Sequence, residues 1–546
     1  MKKYKYITSI LLLIITSSCG VFVNSIDNKD FETINYKGKD VSIIFTHNVN
    51  GETHPCGCRH FPLGGLPQVA GLLHRERSNK HVIYIDTGDL LYPSSVVPKS
   101  LLKSLNFTAK NLVQAMNDLK LDYFVPGDQD FAGGLSLLQN IAKNSNFKFL
   151  ISNLRNEKTI KHKKWALINN GPNKIFIVGV VNPNTLPTQY QELFLNPIYS
   201  LKKTMIELKK NGFNPKNNFH RLIILSHSGM DYDEKMAKEY PRTDWIIGAH
   251  SQSFTKDSFD IKNTKLVQVL SRNHYLGNIS IKHNVSRKQD KYKLLEIRDS
   301  LAGLLKPNKY INFINKHKID LQKIQDTEQS SMDSEKFLTA TSIPTASSCI
   351  ECHTKQGEFW MGTSHSLAYS TLVKAKEEKR QQCIGCHSVG FKKGNGFFKT
   401  SNILNFDNQD DLTKKQIQNL KNKYHRSIKK IMKDVISVRR LNKKQIHSKS
   451  KKIYQLNEKL KIKTNFSNVQ CLNCHSNSVN HPFENKKMKR SSAKTFSKIR
   501  SRCLSCHTKD QSIDWYKKDN SGLPSELNEL QFFENYKKVA CPKIDQ

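Results

Sequence analysis

The chain of 546 residues is long enough for two to four domains with buried cores. Its 27 phenylalanines and 18 tyrosines argue against a wholly disordered chain, and its single short apolar run excludes a polytopic membrane protein. The formal net charge of +40 favours anionic partners, among them lipid headgroups, nucleic acid, acidic proteins and anionic substrates, without choosing between them.

The first residues have the pattern of an export signal. Three lysines precede a mostly apolar run over residues 7–15, and two serines lead to Cys19. This arrangement resembles a bacterial lipobox, which implies a signal peptide at residues 1–18 and lipid attachment to Cys19. An ordinary signal peptide with a chance cysteine is the alternative. We expect an exported, periplasm-facing lipoprotein with a tether at residues 19–39, and Gly20 resembles an outer-membrane sorting signal.

Residues 40–300 alternate strand-like apolar runs with amphipathic helical stretches, which predicts an α/β layered domain. The predicted strands are Val41–Phe45, Val82–Ile85, Tyr123–Val125, Phe147–Ile151, Lys174–Val181, Leu222–Leu225 and Trp245–Ile247. The predicted helices are Gly65–Arg77, Leu101–Leu119 and Leu135–Asn144. Polar residues follow several of these strands, at the ends where open α/β sheets gather their ligands.

Those strand ends carry five polar motifs in a fixed order. They are Thr46-His47-Asn48-Val49-Asn50-Gly51, Asp86-Thr87-Gly88-Asp89, Gly127-Asp128-Gln129-Asp130-Phe131, Ser226-His227 and Gly248-Ala249-His250-Ser251-Gln252. The set resembles the calcineurin-like metallophosphoesterases, specifically the 5′-nucleotidase branch that also holds the sulfur-oxidising thiosulfohydrolases. The resemblance covers roughly residues 40–290 and implies a four-layer β-sandwich flanked by helices.

In that family two metal ions share a bridging aspartate, and the resemblance puts Asp89 in that position. It also assigns Asp128, His227 and His250 to one ion, and this donor set suits a single Zn, Mn or Fe ion. The positions of the other ion hold neutral amides, which replace a carboxylate and an imidazole poorly: Asn48, Asn50 and, as the last ligand position, Gln252. Gln129 stands where active members have a histidine that assists the leaving group. A standard nucleotidase is therefore not expected, because two-metal hydrolysis depends on both ions.

The loop after the first predicted strand holds two thiols, Cys56 and Cys58, between His54 and His60. Three interpretations stay open: a soft Zn or Cu site of thiols and imidazoles, a redox pair, and a permanent structural disulfide. A C-x-C disulfide closes a very small ring and should be strained and readily reduced, which is typical of redox work. We hypothesise that Cys56 and Cys58 are a catalytic redox pair.

The second half carries four C-x-x-C-H motifs. Their residues are Cys349, Cys352 and His353; Cys383, Cys386 and His387; Cys471, Cys474 and His475; and Cys503, Cys506 and His507. This spacing is typical of c-type haem attachment, in which two thiols bind the haem covalently and the histidine ligates iron. Structural zinc is the alternative, but zinc does not require a histidine directly after every second cysteine. The motifs predict a mostly α multihaem cytochrome c domain at residues 346–546 with four covalent c-type haems.

Further sequence surrounds three of the motifs: Glu358-Phe359-Trp360 and Ser364-His365-Ser366-Leu367-Ala368, Ser388-Val389-Gly390-Phe391, and Asn480-His481-Pro482. These patterns resemble the tetrahaem cytochrome c family that accepts electrons from hydroxylamine oxidoreductase. The resemblance implies that His365 and His481 are distal ligands of neighbouring haems, and a surface location is the alternative for each. His425 and His447 are weaker candidates. Met361 is the nearest alternative axial ligand, although a methionine in such a run more often serves packing.

Two segments without motifs are set apart by composition. Residues 301–345 are polar and lysine-rich and are predicted to form a linker with a helix at Lys309–Lys323. Residues 412–465 form a predicted basic helical insert, in which residues 414–463 hold 18 lysines and arginines but two acids. Such a helix binds an anionic membrane or an acidic redox partner, or is simply solvated and packed along one apolar stripe.

Taken together, the sequence predicts an exported, lipid-anchored multihaem cytochrome c that transfers electrons behind a metallophosphoesterase-like domain. The altered metal site and the C-x-C pair suggest that this front domain is a thiol or sulfur redox module. An active metal-dependent hydrolase of phosphate or sulfur esters and an inactive scaffold are the alternatives, so enzymatic activity stays open. We expect redox proteins and, through the lipid, a membrane as partners, and no nucleic acid. Cys541 is an odd thiol that either meets a partner or simply packs.

Overall fold

A computed structural model describes residues 30–55, 63–240, 242–330, 343–392, 396–397, 399–475, 493–508, 512–518 and 524–542. The expected signal peptide with Cys19, the thiols of Cys56 and Cys58, and His481 lie outside the described residues. The chain divides into two compact units. The first reaches to His317 without residues 55–62, and the second runs from Lys318 onward.

Two mixed β-sheets form the centre of the first unit. Their strands are β1 (Phe31–Tyr36), β2 (Val41–Thr46), β3 (His81–Asp86), β4 (Tyr123–Phe124), β5 (Lys148–Phe149), β6 (Trp165–Asn170), β7 (Asn173–Val181), β8 (His220–His227), β9 (Trp245–Ile247), β10 (Phe259–Ile261), β11 (Thr264–Val267), β12 (Tyr275–Ile281) and β13 (Lys291–Glu296). One sheet has the order β1-β6-β7-β8-β9-β11-β10, and the other has the order β13-β12-β2-β3-β4-β5. Strands β7, β8 and β9 are mutually parallel, and so are β2, β3, β4 and β5.

Helices cover the outer faces of both sheets. They are α1 (Leu66–Asn79), α2 (Leu102–Asp118), α3 (Leu135–Asn144), α4 (Thr188–Gln191), α5 (Pro197–Lys210), α6 (Met230–Glu239) and the part of α7 (Lys309–Ser330) that precedes Lys318. Side chains alternate along β7: Ile175 and Ile177 join the core shared with the second sheet, whereas Phe176 packs with Leu208 of α5 and Met236 of α6. The layers are therefore helix, sheet, sheet and helix, which confirms the predicted α/β class.

The sequence located most of the parallel strands but missed others. All seven predicted strands and all three predicted helices are present, with ends that differ by a few residues. The assignment of residues 19–39 to a tether is wrong for Phe31–Tyr36, because these residues pair in parallel with β6. The predicted helix at Lys309–Lys323 begins as expected and continues to Ser330.

The second unit is mostly helical. Its helices are α8 (Ala346–Ile350), α9 (Thr354–Met361), α10 (Ala368–Ala375), α11 (Gln381–His387), α12 (Lys414–Ile431), α13 (Lys443–Tyr454), α14 (Leu456–Lys459), α15 (Cys471–Cys474), α16 (Ala493–Cys506) and α17 (Glu529–Lys537). Short hairpins pair β14 (Leu404–Phe406) with β15 (Ile462–Asn465), and β16 (Tyr516–Lys518) with β17 (Pro524–Leu527). No helix within the described ranges combines the length and the apolar composition that crossing a bilayer requires.

The basic insert contributes to the core of the second unit. Helix α12 begins with a capping box at Thr413 and buries Tyr424 and Ile428 along one stripe. These side chains pack with Tyr369 and Leu372 of α10. The insert is thus a packed part of the fold, with its lysines on the outer faces.

A buried ion pair ties β8 to the turn before β13, and it generates a stability prediction. Arg221 donates to Asp290 from Nη2 over 2.8 Å and from Nε over 3.0 Å, and both side chains are almost fully buried. We expect Asp290→Ala to lower the free energy of unfolding of the first unit by about 3–5 kcal/mol, because it leaves a buried guanidinium unpaired. Urea unfolding followed by tryptophan fluorescence measures the change.

The matched control is Asp260→Ala, which removes an exposed partner of Lys265 at 3.1 Å. Because exposed pairs contribute little, this variant should lose less than about 1 kcal/mol. Equal losses in the two variants would contradict the role assigned to Arg221.

Candidate functional site

Four potential metal ligands come from strands of both sheets. Asp89 follows β3 and Asp128 follows β4 in one sheet, whereas His227 ends β8 and His250 follows β9 in the other. Because these strands are parallel within each sheet, their carboxyl ends bring the loops to one edge. The four ligand atoms lie within 4.8 Å of one another.

The distances within this cluster suit one cation. His227 Nε2 lies 3.2 Å from Asp128 Oδ1 and 3.4 Å from Asp89 Oδ1, and His250 Nδ1 lies 2.9 Å from Asp128 Oδ1. Burial opposes a charged imidazole at His227, yet the two carboxylates raise its pKa well above the ordinary value. A site that favours positive charge, with two carboxylates and two imidazoles, fits a single divalent ion such as Zn, Mn or Fe.

Main-chain groups orient the cluster. His227 Nδ1 donates to the Thr87 carbonyl over 2.8 Å, so Nε2 faces the carboxylates, as in most histidine ligands. Asp130 accepts from the main-chain N–H groups of Asp89 and Gly127 at 2.8 Å each, which fixes the loops after β3 and β4. A side chain at Gly127 would collide with Asp89. Thr87 and Asp130 belong to the strand-end motifs, but the sequence does not reveal that they orient the ligands.

A chain of neutral hydrogen bonds holds the other side of Asp89. The Val269 main-chain N–H donates to His47 Nε2 over 2.8 Å, so the ring proton of His47 is on Nδ1. That Nδ1 donates to Asn48 Oδ1 over 2.8 Å, and Asn48 Nδ2 therefore donates to Asp89 Oδ2, 2.7 Å away. The second carboxylate oxygen of Asp89 is thus already bonded to an amide.

The remaining amides at the predicted second-ion positions are arranged differently. The Gln129 main-chain N–H donates to Asp89 Oδ1 over 2.9 Å. Asn50 Oδ1 and Gln129 Oε1 are buried and have no hydrogen-bond partner among the described residues. Gln252, the predicted last ligand, has a left-handed backbone with φ of 51° and directly follows Ser251, two residues after the ligand His250. His47 belongs to the first strand-end motif. Its role could not be predicted, because that role depends on Val269, which is distant in sequence.

The cysteines and histidines of the second unit lie in or at the ends of helices. The second motif lies at the end of α11. The cysteines of the third motif lie in α15 and those of the fourth motif in α16, and His475 and His507 directly follow these two helices. On a helix, residues i, i+3 and i+4 share one face, so both thiols and the imidazole of the second motif, which lies wholly in α11, share one face of that helix. The motif cysteines form no disulfide among the described residues, and neither does the exposed Cys541.

Two motif histidines are oriented as iron ligands would be. His387 Nδ1 donates to the Ala368 carbonyl over 2.7 Å, and His507 Nδ1 lies 2.8 Å from Ser512 Oγ. A hydrogen bond at Nδ1 leaves Nε2 for a metal. The side chains therefore fit the haem that the motif spacing implies.

His365 faces the fourth motif. Its ring centroid lies 6.3 Å from that of His507, with 45° between the planes. Trp515 stacks on His507 with centroids 4.0 Å apart. Burial and the charge of His365 lower the pKa of His507 to about 4, which keeps its imidazole neutral. A neutral imidazole is the form that binds a metal.

The weaker candidates have other partners. His425 Nε2 lies 3.1 Å from the Tyr369 hydroxyl, and His447 Nε2 lies 2.6 Å from a Glu358 carboxylate oxygen. Met361 is buried. Of the suggested distal ligands that the structure describes, only His365 is brought opposite a motif histidine.

The motifs also lie near one another in two pairs. The thiols of Cys349 and Cys471 are hydrogen-bonded to each other, which lowers the pKa of Cys349 to about 7. Cys386 and Cys506 of the second and fourth motifs are in similar contact. The first motif is thus paired with the third, and the second with the fourth.

Comparison with known proteins bears on both units. Residues 348–409 match the family Cytochrome c554 and c-prime. Over 203 residues the chain is 28% identical to a snake venom 5′-nucleotidase of Gloydius brevicauda, covering 35% of this chain and 32% of the relative. A solved 5′-nucleotidase precursor of Thermus thermophilus is 18% identical, covers 63% of this chain and 68% of that chain, and gives a TM-score of 0.42. The chain spans about a third of the length of the curated relatives it matches.

These matches agree with the two-part organisation. A 5′-nucleotidase-like, calcineurin-like metallophosphoesterase domain is followed by a region of cytochrome c554 type. The matched cytochrome segment contains the first two motifs and His365.

The hydrogen-bond chain through Asn48 generates a prediction about metal content. We expect the full-length protein to bind about one divalent ion per chain and Asp128→Ala to bind less, because Asp128 is one of two carboxylates in the cluster. We expect Asn48→Asp to bind a second ion, since a carboxylate beside Asp89 Oδ2 needs a cation between them. Elemental analysis after dialysis against Mn²⁺ or Zn²⁺ gives the stoichiometry.

Asn211→Asp makes the same chemical change at an exposed position and is the control. Two ions in the unaltered protein, or no gain in Asn48→Asp, would refute the interpretation of this chain of hydrogen bonds.

Proposed function

We propose that the chain is an exported multihaem cytochrome c whose first unit is a thiol or sulfur redox module that supplies electrons. Four C-x-x-C-H motifs and His365 opposite His507 are the observations that carry the proposal. The export signal supports it, because c-type haem is attached outside the cytoplasm. Cys19 would carry the lipid, and a membrane, which we propose is the outer one, would hold the protein near its redox partners.

The spacing of the two imidazoles supports a shared iron. A metal–nitrogen bond is about 2 Å long, and an imidazole nitrogen lies about 1 Å from its ring centroid, so two rings on opposite sides of one ion lie about 6 Å apart. The observed 6.3 Å agrees with this value. We therefore propose that His507 would be the proximal ligand and His365 the distal ligand of one haem.

Bound haem would supply one-electron redox chemistry at four places. The paired cysteines would hold each porphyrin, and the motif histidines would ligate the iron. Ala368 and Ser512 fix the rings of His387 and His507 through Nδ1. Two nitrogen ligands generally give lower potentials than a histidine with a methionine. The pairing of motifs supports short electron-transfer steps within each pair.

The haem assignment is tested by counting and by substitution. Mass and absorption spectra of the mature protein should show four covalent haems, and the mass also tests lipid on Cys19. We expect His365→Ala to convert one of the four haems from low spin to high spin, because it removes one axial ligand. Electron paramagnetic resonance and the visible spectrum measure this change.

His447→Ala is the control, since His447 is exposed enough to pair with Glu358 at the surface. It should leave all four haems unchanged. A colourless protein with zinc on its motif cysteines would refute the whole proposal, and an unchanged His365→Ala spectrum would refute the axial assignment.

What the metal site of the first unit lacks supports the proposed redox role. Asp89 is bonded to a neutral amide, and Gln129 cannot act as an acid, so two-metal ester hydrolysis lacks its charge neutralisation. We propose that Cys56 and Cys58 cycle between dithiol and disulfide instead. A reduced sulfur substrate would be oxidised by two electrons, as when two thiosulfate ions couple to tetrathionate, and these electrons with two protons from solvent would break the S–S bond to give two thiols. Reoxidation would form the S–S bond again, return the two protons to solvent and pass two electrons, one at a time, to two ferric haems.

The thiol pair is tested by anaerobic reduction of the haems with thiosulfate. We expect the Cys56→Ser, Cys58→Ser double variant to lose at least about tenfold in the thiosulfate-dependent rate, because serine cannot form the disulfide. Reduction by dithionite should be unchanged. Cys541→Ser, which removes the other thiol outside the haem motifs, is the control. Full thiosulfate-dependent reduction in the double variant would refute the mechanism.

The four-residue cluster supports one alternative, a metal-dependent hydrolase of phosphate or sulfur esters. In that case Asp128→Ala would abolish ester hydrolysis whatever the redox state of the haems, and the double serine variant would keep it.

A further inference from the structure

A cluster of positively charged residues spans the last turn of helix α12 and the segment that follows it. The segment 429–440, here called the 429–440 surface, contains five exposed basic residues: Lys429, Lys430, Lys433, Arg439 and Arg440. Its one acidic residue, Asp434, is paired at 2.7 Å with Lys449 from outside the segment. Lys429 and Lys430 offset the dipole at the end of α12, but the three basic residues beyond the helix do not have that role.

One apolar side chain stands exposed among these charges. Ile436 is 77% exposed, whereas Met432, Val435 and Val438 on either side of it are buried in the core of the second unit. The Lys374 ammonium donates to the Val435 carbonyl and anchors the turn. An apolar centre surrounded by charge is the usual arrangement of a protein-binding surface.

The buried apolar stripe decides between two kinds of anionic partner. A helix that binds a membrane surface inserts its apolar face among the lipids. Here Tyr424, Ile428 and Val435 are committed to the core, so a bilayer would meet a single isoleucine. A folded acidic protein needs only charge complementarity and one small apolar contact.

The 429–440 surface is connected to the fourth motif by direct contacts. Arg439 Nη1 lies 3.7 Å from a carboxylate oxygen of Asp514, and the next residue, Trp515, stacks on His507. The ring of His365 lies 6.3 Å from that of His507. Only Asp514 and Trp515 would therefore separate a partner bound at Arg439 from His507, the proposed proximal ligand.

We propose that the 429–440 surface is the docking site for an acidic redox protein, which exchanges single electrons with the haem of the fourth motif. The proposal rests on the proposed electron-transfer function. Lys433 and its neighbours attract the partner, and Ile436 contacts it at the centre. One electron leaves the reduced cofactor of the partner, and one ferric haem becomes ferrous.

The test uses reduced flavodoxin, a small acidic flavoprotein, as the electron donor to the oxidised full-length holoprotein. Stopped-flow spectroscopy gives the rate of haem reduction from low to high ionic strength. We expect Lys430→Glu, Lys433→Glu to lower the low-salt rate constant by about tenfold or more, because charge attraction sets the association rate. The dissociation constant for oxidised flavodoxin should rise in parallel, which is a readout independent of electron transfer.

The matched control is Lys414→Glu, Lys415→Glu, two exposed lysines at the other end of the same helix. At 1.5 Å per residue they lie about 25 Å from the surface, well beyond the screening length of about 10 Å at 0.1 M salt. This control should change the rate less than about twofold at 0.1 M salt. Ile436→Ser should lower the rate at high salt, where charges are screened and the apolar contact remains.

The outcomes separate this proposal from the proposed function. Normal reduction by dithionite, with equal flavodoxin rates in the unaltered protein and both double variants, would overturn the docking site and leave electron transfer intact. Failure of dithionite to reduce any haem would instead overturn the proposed function. If Lys430→Glu, Lys433→Glu weakens binding to phosphatidylglycerol vesicles but not to flavodoxin, the surface binds a membrane and the proposal is wrong.

Discussion

A carboxylate has two oxygens, and in the first unit both oxygens of Asp89 are committed. Oδ1 faces His227 and accepts the Gln129 main-chain N–H, whereas Oδ2 accepts the Asn48 amide. The amide is in turn fixed by His47 and by the main chain of Val269. Neutral groups thus stand on the side of Asp89 that faces away from the cluster. They cannot neutralise the charge that develops on an ester during hydrolysis, which is why we propose a different chemistry for a unit that keeps the fold of its relatives.

A hydrogen bond at Nδ1 fixes the orientation of imidazoles in both units. His227 is fixed by the Thr87 carbonyl, His387 by the Ala368 carbonyl and His507 by the Ser512 hydroxyl, each through Nδ1. In every case Nε2 is directed at the place where a metal would bind, and the ring loses its rotational freedom before the metal arrives. Burial lowers the pKa of His387 and His507, which keeps their rings in the neutral form that can be a ligand, whereas the two carboxylates of the cluster raise the pKa of His227. Residues that would not touch a metal therefore orient the imidazoles in both units.

Much of the fold was predictable because buried parallel strands are continuous apolar runs. β7 and β8 are of this kind, and both were found. β1 was missed because Phe31–Tyr36 alternates polar and apolar residues at a sheet edge, which resembles a polar tether. The ligand cluster was found from a family resemblance in strand-end motifs. The role of Asn48 was not predictable, because the direction of its amide is set by a main-chain N–H of Val269, more than 200 residues away in sequence.

Electrostatics around the fourth motif link partner binding to the direction of electron flow. Reduction of a haem removes one positive charge, so nearby positive charge favours the reduced form and raises the reduction potential. Arg439 adds positive charge beside His507, and Asp514 offsets only part of it. The basic segment that we propose as a docking site would therefore also make the adjacent haem a better electron acceptor than two histidine ligands alone would give. The same side chains would then act on both the association with the partner and the reduction potential.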